Sequence, residues 1–410
     1  MKLHFFGGFS EKGRTCVGVE SEAASILLDV GINTSASGRE YYPAISEAAL
    51  AKTDAILITH AHEDHIGGLG WCASNGFKGR VLMTAESRAE MDACLADYAE
   101  PGDRAKAAGL AIETFPPGKT LCLADLTVET GRSGHAVGGV WFRVRQRNSP
   151  SILYCGDTVP HSTVLAMDEP PKSEILVFDA SYGDDPVSRA QRVRDIQRWV
   201  ADAGDACLLP TPLIGRSLEL LAALGPALAI HRDMRDALAR QIGNASWLRR
   251  AMPERLRAVL NGAIDWSEED PFPSAPLLTD DGMGIAGPSA LAIPRAIAEG
   301  VPMLMTGHLP KNSPAEVAVK QGKADWIRLP THPTWSESLE LIRSCEPRVA
   351  IGHSCDESML KRLLHAGPDV LCAVATGDVL DAREWSHAQG RADDDHHDAS
   401  RSDQKLGTWR

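Results

Sequence analysis

Thr59-His60-Ala61-His62-Glu63-Asp64-His65-Ile66-Gly67-Gly68 follows directly on the apolar run Ala55-Ile56-Leu57-Ile58. The run reads as a buried strand, and the stretch after it sets three imidazoles and a carboxylate within six positions. Side chains alternate in an extended segment, so His60 and His62 point the same way and share one cation. Asp64 and His65, beyond the turn, face a second. Nitrogen and oxygen donors in one loop suit zinc, with manganese or iron as alternatives.

Before this motif, Lys2 to Phe6, Thr15 to Glu20 and Ala24 to Leu28 read as short strands joined by turns. Strands preceding any helix predict a sheet packed on a sheet. Asp29 closes the third strand, either orienting a liganding histidine or serving as a plain turn residue. After the motif, Ala85 to Tyr98 has helical composition and Leu121 to Thr130 reads as one strand. His135 then stands between Gly134 and the pair Gly138-Gly139, and the strand Ser151 to Cys155 ends on Gly156-Asp157. His60, His62, Asp64, His65, His135 and Asp157 supply nearly all of a two-metal site, with Asp157 bridging. Two adjacent cations acidify a shared water and neutralise charge building on a phosphoryl or carbonyl oxygen.

The chain as a whole sets bounds on that chemistry. Its 410 residues allow one large domain or two ordinary ones, with a core that needs no covalent staples. A net charge of -13 excludes a general polyanion-binding surface, so any nucleic-acid contact is local. Nine cysteines without a C-x-x-C pair fit reduced thiols in a cytoplasmic protein. No apolar run reaches the length of a membrane span.

The H-x-H-x-D-H loop, the later Gly-His and the Gly-Asp after a strand resemble, in that order, the metallo-β-lactamase superfamily. Glu174-Ile175-Leu176-Val177-Phe178-Asp179-Ala180-Ser181-Tyr182-Gly183-Asp184 is similar to the element that opens its β-CASP nuclease branch. Pro330-Thr331-His332-Pro333 and Gly352-His353-Ser354 stand where that branch returns from its inserted cap. The resemblance implies an α/β protein, an αββα sandwich with an inserted α/β cap. Residues 1–182 and 322–385 would form the sandwich, 183–321 the cap, and 386–410 a disordered polar tail. It implies His60, His62, His135 and Asp157 on one Zn2+, and Asp64, His65, Asp157 and His353 on a second, Mn2+ being the alternative metal. Asp64, Asp179 and His332 are its catalytic residues, His332 as general acid and Asp179 holding the ring's tautomer.

The implied activity is hydrolysis of phosphodiester bonds, with RNA favoured, by two-zinc-activated hydroxide. A DNA nuclease of repair or defence and a small-molecule lactonase or thioesterase are the alternatives. A histidine at the last ligand position favours RNA-acting members, whereas the wordings Gly-His-Ser and Thr-His-Pro-Thr-Trp both depart from the usual segments and leave substrate choice open. The cap itself alternates helix and strand, which predicts a parallel sheet. Gly282, Gly284 and Gly287, after the strand at Leu277, form a turn whose N–H groups either receive a phosphate or bind nothing. Arg189, Arg192, Arg194, Arg198, Arg216 and Arg295 are candidates for a polyanion track. Arg216 and His308 join the glycines as candidate substrate contacts. Single-stranded RNA is the expected partner, no membrane is expected, and a homodimer is left open.

Overall fold

The computed structural model describes residues 1–384, so the expected tail falls outside the described residues. Two seven-stranded sheets face each other. The first runs in the order Val379–Asp381, Lys2–Gly7, Cys16–Glu20, Ser25–Leu28, Ala55–Leu57, Arg80–Met83, Ala111–Thr114. The second runs Leu371–Cys372, Val349–His353, Ile175–Asp179, Ile152–Tyr154, Val140–Gln146, Leu126–Arg132, Thr120–Leu123. Because side chains alternate along a strand, each sheet feeds two layers. Leu3, Phe5, Val17, Ile26 and Leu57 from the first sheet share a core with Val128, Phe142, Ile152, Val177 and Ile351 from the second. The opposite parity meets helices: Leu27, Ile56 and Val81 pack with Ile66, Leu69 and Met91 on one side. Leu153, Leu176, Phe178 and Ala350 pack with Leu341, Ile342, Leu360 and Leu363 on the other. The result is the αββα sandwich, in which each fully buried Leu or Phe contributes about 1.5–3 kcal/mol.

Strand direction positions the site. Ser25–Leu28, Ala55–Leu57 and Arg80–Met83 are parallel in the first sheet, and Ile152–Tyr154, Ile175–Asp179 and Val349–His353 in the second. Asp29, His60, Asp157, Asp179 and His353 all stand at or just past the C-terminal ends of these strands. The loop after Ala55–Leu57 sits hard against Gly31, where a Cβ would lie 1.7 Å from the Asp64 carbonyl oxygen. Only glycine admits that approach.

Between Asp179 and Trp335 the chain leaves the sandwich. Its central sheet is parallel throughout, in the order Cys207–Pro210, Pro276–Thr279, Ala229–His231, Ile264–Trp266. Helices Arg189–Asp202, Arg216–Leu224, Arg235–Gly243, Met252–Gly262 and Ser289–Glu299 surround it, and a second parallel pair joins Leu304–Met305 to Asp325–Trp326. Helix Ala85–Tyr98 coincides with the sequence expectation. The single strand expected over Leu121 to Thr130 is instead an antiparallel hairpin, Thr120–Leu123 with Leu126–Arg132. It turns at Ala124, whose φ of 52° is unusual for alanine, so no glycine or Asn-Gly announced it. All nine cysteines are free thiols. Among the described residues no helix is long and apolar enough to cross a membrane.

Candidate metal centre

Four histidines at the sandwich edge each have one ring nitrogen taken by an acceptor or hydroxyl, and those partners assign the tautomers. His60 Nδ1 lies 3.0 Å from Thr59 Oγ1, whose own proton goes to Asp29 Oδ2 at 2.7 Å, so the imidazole is the donor. His135 Nδ1 donates to the Thr331 carbonyl at 2.7 Å, His62 Nε2 to the Ile214 carbonyl at 3.3 Å, and His65 Nδ1 to Asp29 Oδ2 at 2.7 Å. On His60, His62 and His135 the remaining nitrogen carries a lone pair, and these three converge. His62 Nδ1 is 3.0 Å from His60 Nε2 and 3.1 Å from His135 Nε2. Three mutually facing lone pairs repel unless a cation lies among them, so the donor set fits a borderline-soft divalent metal. Burial holds all three rings neutral: His60 well below the usual range, His62 pushed down to about 4, His135 to about 3.

Asp157 spans this cluster and a second one. Its Oδ2 is 3.8 Å from His60 Nε2 and 3.5 Å from His135 Nε2, while Oδ1 is 3.2 Å from His65 Nε2. His60, His62, His135 and Asp157 bring one donor atom each within 4.8 Å of one another. His65 Nε2 and Asp157 Oδ1 are buried without a hydrogen bond, their 3.2 Å contact lacking the geometry of one. Two orphaned ligand atoms at 2% and 0% exposure are costly without an ion to receive them. Asp64 Oδ2 lies 3.8 Å from His65 Nε2. Burial pulls the His65 proton off, but Asp157, Asp64 and Asp29 outweigh it and raise the ring well above its ordinary value. A second cation would replace that proton. His353 is not gathered into either cluster: its Nε2 bonds the Gly156 carbonyl at 3.0 Å and its Nδ1 lies 2.9 Å from Ser354 Oγ. It stacks edge-on beside His65, ring centres 6.3 Å apart.

His332 and Asp179 meet across the whole length of the cap. His332 Nδ1 donates to Asp179 Oδ2 at 2.8 Å and lies 3.5 Å from Asp157 Oδ2. Asp179 is fully buried and receives the Ser181 N–H on Oδ1 at 3.0 Å, which fixes its plane. Burial works against a charged His332, but Asp179 and Asp157 prevail and push it up to about 9.

A cavity of about 200 Å³ opens over both groups, lined by His62, Asp64, His135, Asp157 and His332. Arg216 and His308 line it as expected. Arg216 is buried, its Nη2 bonding Thr331 Oγ1 at 3.0 Å. Of the three glycines only Gly282 reaches the cavity. Gly284 and Gly287 do not, and three of the turn's donors are taken: Asp281 accepts the N–H groups of Met283 at 2.6 Å, of Gly284, and of Ala286 at 3.2 Å. A side-chain carboxylate sits where a phosphate was expected. The arginine track is likewise broken into local pairs. Arg189 is buried against Glu219, Arg192 pairs with Asp185, Arg198 with Asp195, and Arg295 with Glu299, while Arg194 bonds Gln191.

Sequence reasoning missed Lys12, Tyr182 and Arg328 on the cavity wall, and the acids Glu63, Asp280 and Asp281 opposite. Lys12 donates to the Ser181 carbonyl at 3.1 Å, and burial with Arg328 nearby lowers its pKa. Burial pushes Glu63 and Asp280 up to about 8 each. The signals available were weak: Lys12 inside the glycine-rich turn after the first strand, and adjacent acids before Gly282.

Asp29 answers the alternative left open for it. It is fully buried and accepts from Thr59 N, Thr59 Oγ1, Tyr154 OH and His65 Nδ1, each at 2.7 Å. Its φ is 60°, a conformation Asn adopts as readily. Asp29→Asn therefore keeps the backbone and alters only the acceptor. Zinc affinity, measured by competition with a chromogenic chelator, is expected to fall about 10- to 100-fold, and an unchanged affinity would make Asp29 purely structural.

Fold and ligand loop together describe an αββα sandwich carrying a histidine-carboxylate cluster at one edge. Residues 11–197 match the family model described as Metallo-beta-lactamase superfamily. The chain is 27% identical over 250 residues to Endoribonuclease YSH1 of Yarrowia lipolytica, covering 56% of this chain and 30% of that protein. It is 26% identical over 255 residues to Cleavage and polyadenylation specificity factor 73 of Drosophila melanogaster, covering 58% and 37%. It is 26% identical over 298 residues to Transcription termination factor FttA of Methanothermobacter thermautotrophicus, covering 66% and 47%. The matched segments thus cover 30% to 47% of the length of these curated relatives. A solved structure of a protein of unknown function from Enterococcus faecalis V583 shares the fold, with a TM-score of 0.61 at 13% identity, over 92% of this chain and 99% of that one. Over residues 11–197, just under half of the chain, the match is thus to the metallo-β-lactamase superfamily.

Proposed function

We propose that the protein is a metal-dependent phosphodiesterase acting on RNA. The observation that carries this reading is the single carboxylate oxygen shared by two chemistries: Asp157 Oδ2 is 3.5 Å from His135 Nε2 and 3.5 Å from His332 Nδ1. A ribose oxygen leaving phosphorus is a poor leaving group, and an imidazole acid placed beside the ligand cluster supplies the proton it needs. Relatives named endoribonuclease and transcription termination factor support RNA as the polymer.

In this reading His60, His62, His135 and Asp157 would hold one zinc, and Asp64, His65, Asp157 and His353 a second. When bound, the two ions neutralise phosphoryl charge and acidify water. The chain's own residues do the rest. Asp157 presents one oxygen to each cluster, Asp64 adds a carboxylate at the second, and His332 carries the proton that the departing oxygen takes. Asp179 keeps Nδ1–H engaged, so that Nε2 is the nitrogen that gives up its proton. Arg216 and His308 serve as substrate contacts, and Gly282 as part of the cavity wall. The division into a sandwich, expected over 1–182 and 322–385, and a cap, expected over 183–321, belongs to the same proposal with its second boundary moved. Pairing of Leu304–Met305 with Asp325–Trp326 supports carrying the cap to residue 326. Single-stranded RNA is the proposed partner and the cytoplasm the proposed location.

The test is incubation of zinc-loaded protein with labelled single-stranded RNA, single-stranded DNA, both duplexes and a chromogenic ester. RNA cleavage that a chelator abolishes is the expected result. Cleavage of DNA alone, or of the ester alone, overturns the assignment of substrate.

A further inference from the structure

A chain of ring and guanidinium contacts leaves the candidate general acid and reaches the surface. The Tyr182 ring lies 4.9 Å from that of His332, the Arg328 guanidinium 4.6 Å above Tyr182, and the Trp326 ring 5.1 Å from the same guanidinium. Trp326 is 44% exposed, at the outer end of this chain of contacts. Its Nε1–H is fixed on the Gly307 carbonyl at 2.8 Å, so the ring cannot swing away. Tyr182 and Arg328 line the metal cavity and also a second groove, of about 420 Å³, together with Trp326, Arg192 and Arg362. That volume lies in the range of a small-ligand site, roughly 300–1,000 Å³.

Charge in this groove runs against that of the chain. Three arginines face two aspartates, Asp184 and Asp185, whereas the whole protein carries -13. Asp184 holds Arg362 at 2.9 and 3.2 Å, and Asp185 holds Arg192 at 3.0 Å and Arg328 at 3.5 Å. These pairs aim the guanidiniums without exhausting them, since each Arg has five donors. A fixed aromatic face beside oriented guanidiniums is the combination that holds single-stranded polynucleotide: bases stack and phosphates bridge.

We propose that the groove at Trp326, Arg328 and Arg362 is the subsite for the nucleotides flanking the scissile phosphate, with a base stacked on Trp326 and a phosphate at Arg362. This deepens the nuclease reading and rests on it. The groove gives the protein a requirement for strand length: an oligonucleotide too short to reach Trp326 forgoes the stacking contact.

The experiment pairs a catalytic and a binding readout on full-length, zinc-loaded protein. Trp326→Ala and Arg362→Gln are compared with the parent on a single-stranded RNA 14-mer, on a length series below it, and on bis(p-nitrophenyl) phosphate. Binding of the fluorescein-labelled 14-mer is followed by anisotropy. Trp326→Ala is expected to raise both the KM and the Kd of the 14-mer about 5- to 150-fold, the equivalent of 1–3 kcal/mol per stacked base. It leaves kcat and bis(p-nitrophenyl) phosphate turnover within about twofold, and the advantage of long over short strands disappears. Arg362→Gln also flattens the salt dependence of the Kd. Unchanged 14-mer binding in both variants overturns the proposal, as does an equal loss on the small diester. If the parent binds the 14-mer through Trp326 yet cleaves no polymer, the nuclease reading fails and the groove stands. If it cleaves RNA with no change in the variants, the reverse holds.

Discussion

Asp157→Ala is expected to abolish hydrolysis and to empty the metal centre. One oxygen of this side chain faces His60 and His135 and the other faces His65, so its removal takes a ligand from both clusters at once. Burial opposes ionisation of Asp157, yet His65 and His332 hold it well below the usual carboxylate range, so it is a ready anionic ligand near neutral pH. The rate on RNA should fall by more than about 1,000-fold, at about 1.36 kcal/mol of barrier per decade. Metal content after desalting should fall from two ions to one or none. The apo protein should still fold, because the sandwich core of Phe5, Phe142, Val177 and Ile351 is independent of the loop. Thermal melts with and without zinc separate these effects: the parent should gain stability from zinc, and the variant little. Two retained metals with a rate within tenfold of the parent would remove Asp157 from the bridging role.

The fold was legible where the sequence combined apolar alternation with terminal acids and histidines. Ala55 to Ile58 followed by His60 and His62 is enough to set a strand, its end and a ligand pair, because a side-chain period of two and a buried run leave one arrangement. The ends of Ile152–Tyr154 and Ile175–Asp179 were legible for the same reason. What was not legible depended on contacts remote in sequence or on conformations without a residue signature. The hairpin at Ala124 turns on a positive φ that alanine does not advertise. The glycine turn near Gly284 looks open to a phosphate until Asp281, the residue at its start, folds back onto its N–H groups. Arginines at 189, 192 and 198 form a stripe in sequence, but Glu219, Asp185 and Asp195 claim them one by one. Arg328 and Trp326 carried no motif at all. Their meaning comes from Tyr182, more than a hundred positions earlier, being stacked beneath them.

His332→Ala should separate proton donation from metal chemistry by the leaving group it affects. A ribose oxygen leaving phosphorus is a poor alkoxide and needs a proton as the bond breaks, whereas p-nitrophenolate leaves unaided. The loss on RNA should be about 100- to 10,000-fold, while bis(p-nitrophenyl) phosphate stays within about tenfold of the parent. Asp179→Asn tests the same step through the ring's orientation. Asn offers an amide where His332 Nδ1–H and the Ser181 N–H both need an acceptor, so one donor is left unpaired in a fully buried site. Its loss on RNA should approach that of His332→Ala, again with the p-nitrophenyl diester spared. The competing explanation is that His332 merely steadies Asp157, 3.5 Å away. In that case both substrates lose rate in equal measure and the zinc affinity drops with them. A loss confined to the alkoxide-leaving substrate, at unchanged metal content, assigns the proton to His332.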